Sequence, residues 1–582
     1  MVRDEPLPEP DLIAALTRSL AHRGPDGEGQ YFDGPVALAH TRLAIIDLVT
    51  GDQPFLDDQG VSLVANGEIY NYLELRDSLK VDGALFKTMS DCEVPLHLYR
   101  RHGVGFASHL RGMYAIAIHD PNEDVLILAR DPFGIKPLYY AETETAFSFA
   151  SEMGALLAAD VADPVIRNQS RVELMQLQFC TGRNTVVNDI KRVLPGETLV
   201  VRGGRIVERF RQQSLPQGGQ RISDEDAAMK QLDEALMESV ALHQRSDVPY
   251  GLFLSGGIDS SVLLACMAQL NETPVRAFTA GFPRTDVHDE RAHARMLAKR
   301  VGADHVEVEI TEQDFWQLLP EIAAAMDDPV ADYAIIPTYK LAREAAREMK
   351  VVLCGEGGDE LFGGYGRYRS ALRPWWQGGR AMRTKGIMDG FDVLREEPRG
   401  WRDGILAAES RSGITGRTRL QVAQAVDNAD WLPNDLLVKL DRCLMAHGLE
   451  GRTPFLDPAV SSLAFCLDDD LKIRKGKGKY LLRKWLDVKL PEAEAFSPKR
   501  GFTVPVGEWI AAQGDKLAPL LAAQPGIIQI CHPDAVARLV RRRGKRVGNA
   551  AWTLLFYALW HRYHVLRLPP QGDVFECLSV TA

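Results

Sequence analysis

An apolar strand, Tyr250-Gly251-Leu252-Phe253-Leu254, runs straight into Ser255-Gly256-Gly257-Ile258-Asp259-Ser260, and the helical pattern SVLLACMAQL follows. Glycines let backbone amides close on an anion, and a helix N-terminus adds donors, so this corner suits phosphate oxygens. Ser255 and Ser260 contribute hydroxyls. An aspartate beside phosphates needs a cation between them, which makes Asp259 a candidate Mg²⁺ ligand. The spacing is neither GxxxxGK[ST] nor GxGxxG, so a Walker loop and a dinucleotide fingerprint are both excluded. An ordinary strand-turn-helix corner would not call for two glycines, two serines and an aspartate in six positions.

A second apolar run, VVLC, ends in Gly355-Glu356-Gly357-Gly358-Asp359. Asp359 offers a second carboxylate for the same cation, and Glu356 falls where a reacting carboxyl group would lie. Glycine-rich turns after strands are common, but two that both carry acids point to one site. SGGxDS is similar to the pyrophosphate-binding loop of enzymes that cut ATP between its α and β phosphates. Such enzymes adenylate a carboxyl or carbonyl oxygen, and a nitrogen or sulfur nucleophile then displaces AMP.

Both loops must sit at the ends of strands. YGLFL, VRAFTAGF, HVEVEI and VVLCG alternate with helical patterns, the rhythm of a parallel sheet with crossover helices. The amphipathic helix EDAAMKQLDEALMESVALH precedes them, and the last third of the chain is mostly helical. The first third differs: GPVALAHTRLAIIDL, GVSLVANGEIYNY, GMYAIAIHD, DVLILARD and TAFSFASE are β-type runs cut by turns, which predicts a layered sheet domain. QQSLPQGGQRISDED reads as a linker ending in a helix cap. The expected units are 1–208, a linker 209–224, and 225–582. A chain of 582 residues is too long for a single core.

A net charge of -11 argues against nucleic acid as a partner, since phosphate binding needs a basic face. The one basic run, Arg541-Arg542-Arg543-Gly544-Lys545-Arg546, has no interleaved aromatic and reads as a solvated turn. The 8 cysteines form no CxxC pair, so they read as small buried hydrophobes in a reducing compartment rather than as a zinc or redox motif. The acidic, proline-rich opening has no signal-peptide character. AAWTLLFYALW is about half a membrane span and reads as a buried helix, with no membrane partner expected. His561 and His564 after it suit a metal, but the favoured reading is a helix end meeting solvent.

The sequence resembles asparagine synthetases of the glutamine-hydrolysing type over nearly its whole length. The stretches that carry this are HRGPDGEG, RLAIIDL, NGEIYNY, SDCEV, RDPFGIKPLYY, LSGGIDSS, GEGGDELFGGY, LVKLDRCLMAHGLEGRTPFLD, KGKYLLRKW and SPKRGFTVPVGEW, in that order. The resemblance implies an α/β two-domain fold: an N-terminal αββα amidotransferase (Ntn-hydrolase-like) sandwich, then a parallel-sheet ATP pyrophosphatase domain with a helical C-terminal region. It implies that Arg42 pairs with the carboxylate of glutamine, with Leu43, Ala44, Ile45 and Ile46 beside it. Asn66 and the Gly67 amide would form an oxyanion hole, Glu68 would help to hold the substrate, and Asp91 would bind its α-amino group. Backbone around Phe253, Ala280, Cys354 and Gly355 would hold adenosine. Lys479 would stabilise charge on the α-phosphate, and Asp259 and Asp359 would bind Mg²⁺. Aspartate would be activated by ATP as β-aspartyl-AMP and amidated by ammonia carried between the domains. A homodimer in the cytoplasm is implied as well.

That family begins MCGI, with the cysteine as nucleophile and its own α-amino group as base. This chain opens MVRDEPLPEP, without a cysteine. Three readings stand: a start codon upstream of Met1, an enzyme that uses free ammonia, or a first domain that serves as scaffold. Cys92 beside Asp91 reads as a packing residue. Two further readings compete for the whole chain. One is a related amidotransferase acting on another carboxylate, as in polysaccharide modification or β-lactam formation; the other is a non-catalytic nucleotide-binding regulator. Aspartate specificity is sought in DDPVADYAIIPTY, where Asp328 and Asp332 are candidates for the α-amino group or else form a turn and helix cap.

Overall fold

The run GMYAIAIHD places its odd and even side chains on opposite faces, as a strand must, and both faces are buried. Tyr114, Ile116 and Ile118 pack with Leu79, Leu96 and Leu98 from covering helices. Ala115 and Ala117 pack with Leu38, Leu138 and Tyr140 of a second layer of strands. A strand buried on both faces makes a four-layer sandwich. The computed structural model describes residues 9–219, 221–283, 289–377, 382–497 and 504–580. The opening MVRDEPLP and the PKRGFT of SPKRGFTVPVGEW (498–503) lie outside these.

The strands of the first domain are β1 (Gly27–Asp33), β2 (Val36–Arg42), β3 (Phe55–Leu56), β4 (Ser62–Ile69), β5 (Gly112–Asp120), β6 (Val125–Arg130), β7 (Tyr139–Glu142), β8 (Phe147–Ala150), β9 (Ile190–Arg192), β10 (Glu197–Arg202) and β11 (Arg205–Arg211). One layer is a continuous sheet of order β11-β10-β6-β5-β4-β3. The other comes in two pieces, β1-β2 and β8-β7-β9. A cavity of about 120 Å³ lies where β2 and β8 face each other, lined by Ala37, Ala39, Phe147, Phe149 and Ala150. Leu12 and Leu16 of the helix Pro10–Leu20 also line it.

β11 runs through Arg211, three residues into the expected linker, because the β10 hairpin pairs Glu197 with Arg211. Asp224 caps the next helix, its carboxylate accepting the Ala227 N–H at 2.7 Å.

The second domain is built on β12 (Tyr250–Phe253), β13 (Arg276–Gly281), β14 (Asp304–Glu309), β15 (Val351–Leu353) and β16 (Glu450–Arg452), all parallel, in the order β14-β13-β12-β15-β16. Chain order reverses between β12 and β15. In open α/β sheets, ligands bind in the crevice that such a reversal leaves at the strands' C-terminal ends. Leu252 pairs with Leu353, so SGGIDS and GEGGD leave the sheet side by side.

Two sequence expectations change here. His561 and His564 lie in the helix Lys545–His564 but are 2% and 8% exposed, not at a wet helix end. The chain after that helix returns to the same core through Val574 and Phe575, and burial lowers both imidazoles to about 4. Asp328 does not reach the crevice. Arg192 of β9 takes it with two bonds of 2.7 Å and Tyr139 with one of 2.9 Å, which ties the first domain to the second. The basic run around Arg541 is an exposed turn, with Arg541 paired to Asp515 at 2.7 Å.

Candidate active site

β12 ends at Phe253, Gly256 takes a positive φ of 70°, and the helix Ile258–Leu270 begins one residue past Gly257. This leaves the first amides of that helix open toward the crevice. Ser260 Oγ accepts the Ser255 N–H at 3.1 Å and lies 3.1 Å from Ser255 Oγ, which fixes the loop. A cavity of about 340 Å³ opens in front of it. Phe253, Ser255, Asp259, Ser260, Ala280, Cys354, Gly355, Glu356 and Asp359 all line this space. The two loops foreseen from sequence therefore meet. Gly256 and Gly257 shape the turn without lining the cavity.

Lys479 reaches the same point from the start of the helix Tyr480–Lys489, with a left-handed backbone φ of 58°. Its Nζ lies 2.5 Å from Asp259 Oδ2 and 2.6 Å from Asp359 Oδ1. Burial opposes its charge, but the two carboxylates outweigh this and hold its pKa above the usual lysine range. A cation thus already bridges the two acids. Two carboxylates plus phosphate oxygens and water are how Mg²⁺ is usually held, so the pair fits that ion. Among the described residues no group of three or more His, Cys, Asp or Glu side chains could hold a metal on its own. Glu356 is half-buried beside the acids; burial chiefly raises its carboxyl, while Lys439 opposes the shift.

A second cavity, of about 110 Å³, lies in the first domain. Arg42, Leu43, Ile45, Ile46, Asn66, Gly67, Glu68, Asp91 and Cys92 line it; Ala44 does not. Arg42 donates to Asp52 at 2.7 Å and to the Asp47 carbonyl. Asn66 donates to Ser151 Oγ at 3.3 Å, and Gly67 takes a φ of 153° that brings its backbone against Met113. Asp91 accepts the Ile69 N–H at 2.7 Å. Burial raises its carboxyl, and burial together with Asp91 raises that of Glu68 well above the usual range. The Cys92 thiol is pushed up well above its ordinary value by burial first and then by Asp91 and Glu68.

The sequence matches the family model for asparagine synthase over residues 231–562 and that for a glutamine amidotransferase domain over residues 3–211. The chain belongs to the asparagine synthetase family. It is 33% identical to asparagine synthetase [glutamine-hydrolyzing] 1 of Bacillus subtilis, covering 95% of this chain and 94% of that protein. It is 34% identical to a putative asparagine synthetase [glutamine-hydrolyzing] of Mycobacterium tuberculosis, with the same coverage. Amidase chry2 of Gibberella zeae is 34% identical over 60% of this chain and 55% of that protein.

Several residues that surround these asparagine synthetase-like cavities were not singled out from sequence. Glu290, Thr338, Glu360, Tyr365 and Lys439 line the larger one, and Lys136 and Glu450 the smaller. Lys439 carried a signal: Leu436, Lys439 and Leu440 share one helical face at i, i+3 and i+4, and all three meet the cavity. Among the described residues, no helix is long and apolar enough to cross a membrane.

Proposed function

We propose that the protein is an ATP-dependent ligase that converts aspartate to asparagine through β-aspartyl-AMP, releasing AMP and pyrophosphate. The observation that carries this reading is that Asp259, Asp359 and Glu356 line one cavity at the sheet's reversal point, with Lys479 bridging the two aspartates. The SGGIDS amides and hydroxyls suit the pyrophosphate end of ATP, and Phe253, Ala280, Cys354 and Gly355 form the wall for adenosine. Bound Mg²⁺ would neutralise the phosphates and orient the α-phosphorus. The β-carboxylate attacks that phosphorus while Lys479 offsets charge on the departing pyrophosphate. Glu356, whose carboxyl burial raises, sits where the new acyl-adenylate meets its nucleophile and takes a proton from the attacking nitrogen. A mere nucleotide-binding regulator would need no buried lysine between two half-buried acids.

The nitrogen that attacks is ammonia, and Cys92 is not a glutaminase nucleophile. It is the one thiol among the residues lining the smaller cavity, and its raised pKa keeps it protonated at neutral pH. Arg42, Asn66, Gly67, Glu68 and Asp91 form a cavity suited to glutamine, with Arg42 for its carboxylate and Asp91 for its ammonium. The similarity to a fungal amidase keeps a second reading in view, amidation of another carboxylate. The test is pyrophosphate release by the full chain with MgATP and aspartate, with ammonium in one tube and glutamine in another. Release with ammonium alone supports both statements. Equal release with glutamine overturns the statement about nitrogen. Silence in both with aspartate, but release with another acid, overturns the choice of substrate.

A further inference from the structure

The helix that carries Asp359, Gly358–Leu361, is too short to satisfy its own carbonyls, because the last four of any helix lack partners within it. Two are closed locally. The Phe362 N–H donates to the Gly358 carbonyl at 3.2 Å and the Gly364 N–H to that of Asp359 at 2.8 Å. The carbonyls of Glu360 and Leu361 are both taken by one side chain from the helix Arg419–Val426. Gln424 Nε2 donates to them at 2.8 and 2.6 Å. The next carbonyl, that of Phe362, accepts the Lys479 N–H at 3.0 Å. One helix end therefore sets both members of the Asp359–Lys479 pair.

An amide that commits both N–H groups in this way leaves its oxygen needing a donor in a dry place. Lys472 supplies it: Nζ donates to Gln424 Oε1 at 3.1 Å and to the Phe465 carbonyl at 2.8 Å. Gln424 and Lys472 are both 0% exposed. The two acceptors are neutral. Asp469, Cys466 and Asp468 favour the charge on Lys472 and Arg221 opposes it, but burial outweighs them and lowers its pKa to about 7. Lysine is almost never fully buried without a bonded acid. Burying one to orient a single amide is costly, and it makes sense where the placing of that amide matters.

We propose that Gln424 is a positioning residue for the nucleotide cavity, with Lys472 orienting its amide. Together they clamp the end of the helix Gly358–Leu361, so that Asp359 meets Lys479 and faces Asp259. Neither side chain lines the cavity or touches the reacting atoms. This deepens the function proposed above and rests on it for the reaction that the clamp serves.

The test uses variants of the full chain. Gln424→Glu keeps the shape of the side chain and its contact with Lys472 but removes both donors to the helix. Its kcat for pyrophosphate release with MgATP, aspartate and ammonium should fall about tenfold or more, while KM for ATP stays at the parent's value. Hydrogen exchange of the Phe362 and Gly364 amides should quicken about tenfold. Lys472→Met leaves the Gln424 oxygen without its donor and should move kcat and exchange in the same direction. Gln421→Met is the comparator. Gln421, also buried, lies one turn earlier on the same helix and donates to the Phe465 carbonyl at 2.8 Å, not to Gly358–Leu361. That variant should lose stability to urea yet keep the parent's kcat and exchange. Equal loss of kcat in both glutamine variants would make the role of Gln424 merely structural and overturn the proposal, and so would a parent-like kcat in Gln424→Glu. If Gln424→Glu fails to fold, Lys472→Met decides. Failure of the function itself reads differently: the parent would release no pyrophosphate with any acid, and the exchange rates would still judge the clamp.

Discussion

Arg452 is bonded to both halves of the molecule at once. Its Nη2 lies 3.1 Å from Glu68 in the glutamine-type cavity, and its own carbonyl accepts the N–H of Cys354 at 2.8 Å, at the edge of the nucleotide loop. Nε meets Glu450 at 2.9 Å, and Nη1 donates to the carbonyls of His243 and Arg245 at 3.1 and 2.6 Å. The side chain is fully buried. Arg452→Met would leave Glu68 buried without its counter-cation and Glu450 with Lys136 alone. Breaking one partner out of such a buried network costs about 3–5 kcal/mol. Denaturant unfolding should show a loss of that order, with Arg452→Lys between the two, since one ammonium cannot serve four acceptors in a planar fork. A methionine variant as stable as the parent would mean that the network contributes little.

Lys479 holds the place between Asp259 and Asp359 that a divalent cation would share. Lys479→Met should therefore do two opposite things. Pyrophosphate release should fall by about 10²–10³, the usual loss when one group facing transition-state charge is removed. Binding of Mn²⁺ without nucleotide should tighten about tenfold or more, because two carboxylates then face each other with no positive charge between them. Titration of the nucleotide-free variant checks this, and unchanged Mn²⁺ affinity would refute it.

The two phosphate-side loops were legible because their chemistry is local. Glycines, hydroxyls and an acid within six positions after an apolar strand constrain the backbone wherever the strand lies. The layered first domain was legible for a like reason, in β-type runs such as GMYAIAIHD cut by turns. Lys439, Arg452 and Glu450 were not, because a charged residue on a helix or short strand looks the same whether it meets solvent or a buried acid. Asp328 was misread for that reason too. Only the docking of β9 from the first domain decides that it meets Arg192 rather than a ligand. His561 and His564 were expected in solvent because nothing local to them reveals that Val574 and Phe575 fold back into their core.

Glu360 should give stability a pH dependence of known sign. It is buried next to Asp359, and burial first, then that neighbour, raises its carboxyl from 4.5 to about 7, against the 2.5 Å hydrogen bond from Tyr365. Between those two values the folded protein holds a proton that the unfolded chain has released. The stabilisation from this group is therefore complete below the ordinary value and is lost as pH rises through about 7. The whole effect is at most about 3 kcal/mol. Glu360→Gln cannot titrate, so its stability relative to the parent should rise between pH ~5 and ~8. Urea unfolding of both proteins at the two pH values measures this. A constant difference would mean that Glu360 titrates normally.

The closest steric test of the catalytic bridge is Gly364→Ala. Gly364 follows the GEGGD turn, and its N–H donates to the Asp359 carbonyl at 2.8 Å. A methyl group on its α-carbon would overlap Asp359 Oδ1 and Lys479 Cε, the two partners of one ion pair. The backbone there is not left-handed, so alanine adds bulk rather than conformational strain. Something must move, and the flexible partners are those two side chains. Displacing a reacting group by about 1 Å costs on the order of a hundredfold in rate, so turnover should fall by that much or more. The fold should stay intact, because Gly364 is only half-buried. Gly366→Ala is the control: its methyl meets nothing nearer than Arg369 Nη2 at 3.5 Å, and it should turn over like the parent. A Gly364 variant with the parent's rate would show that Asp359 and Lys479 need not touch during the reaction, and the role given to their contact would fall.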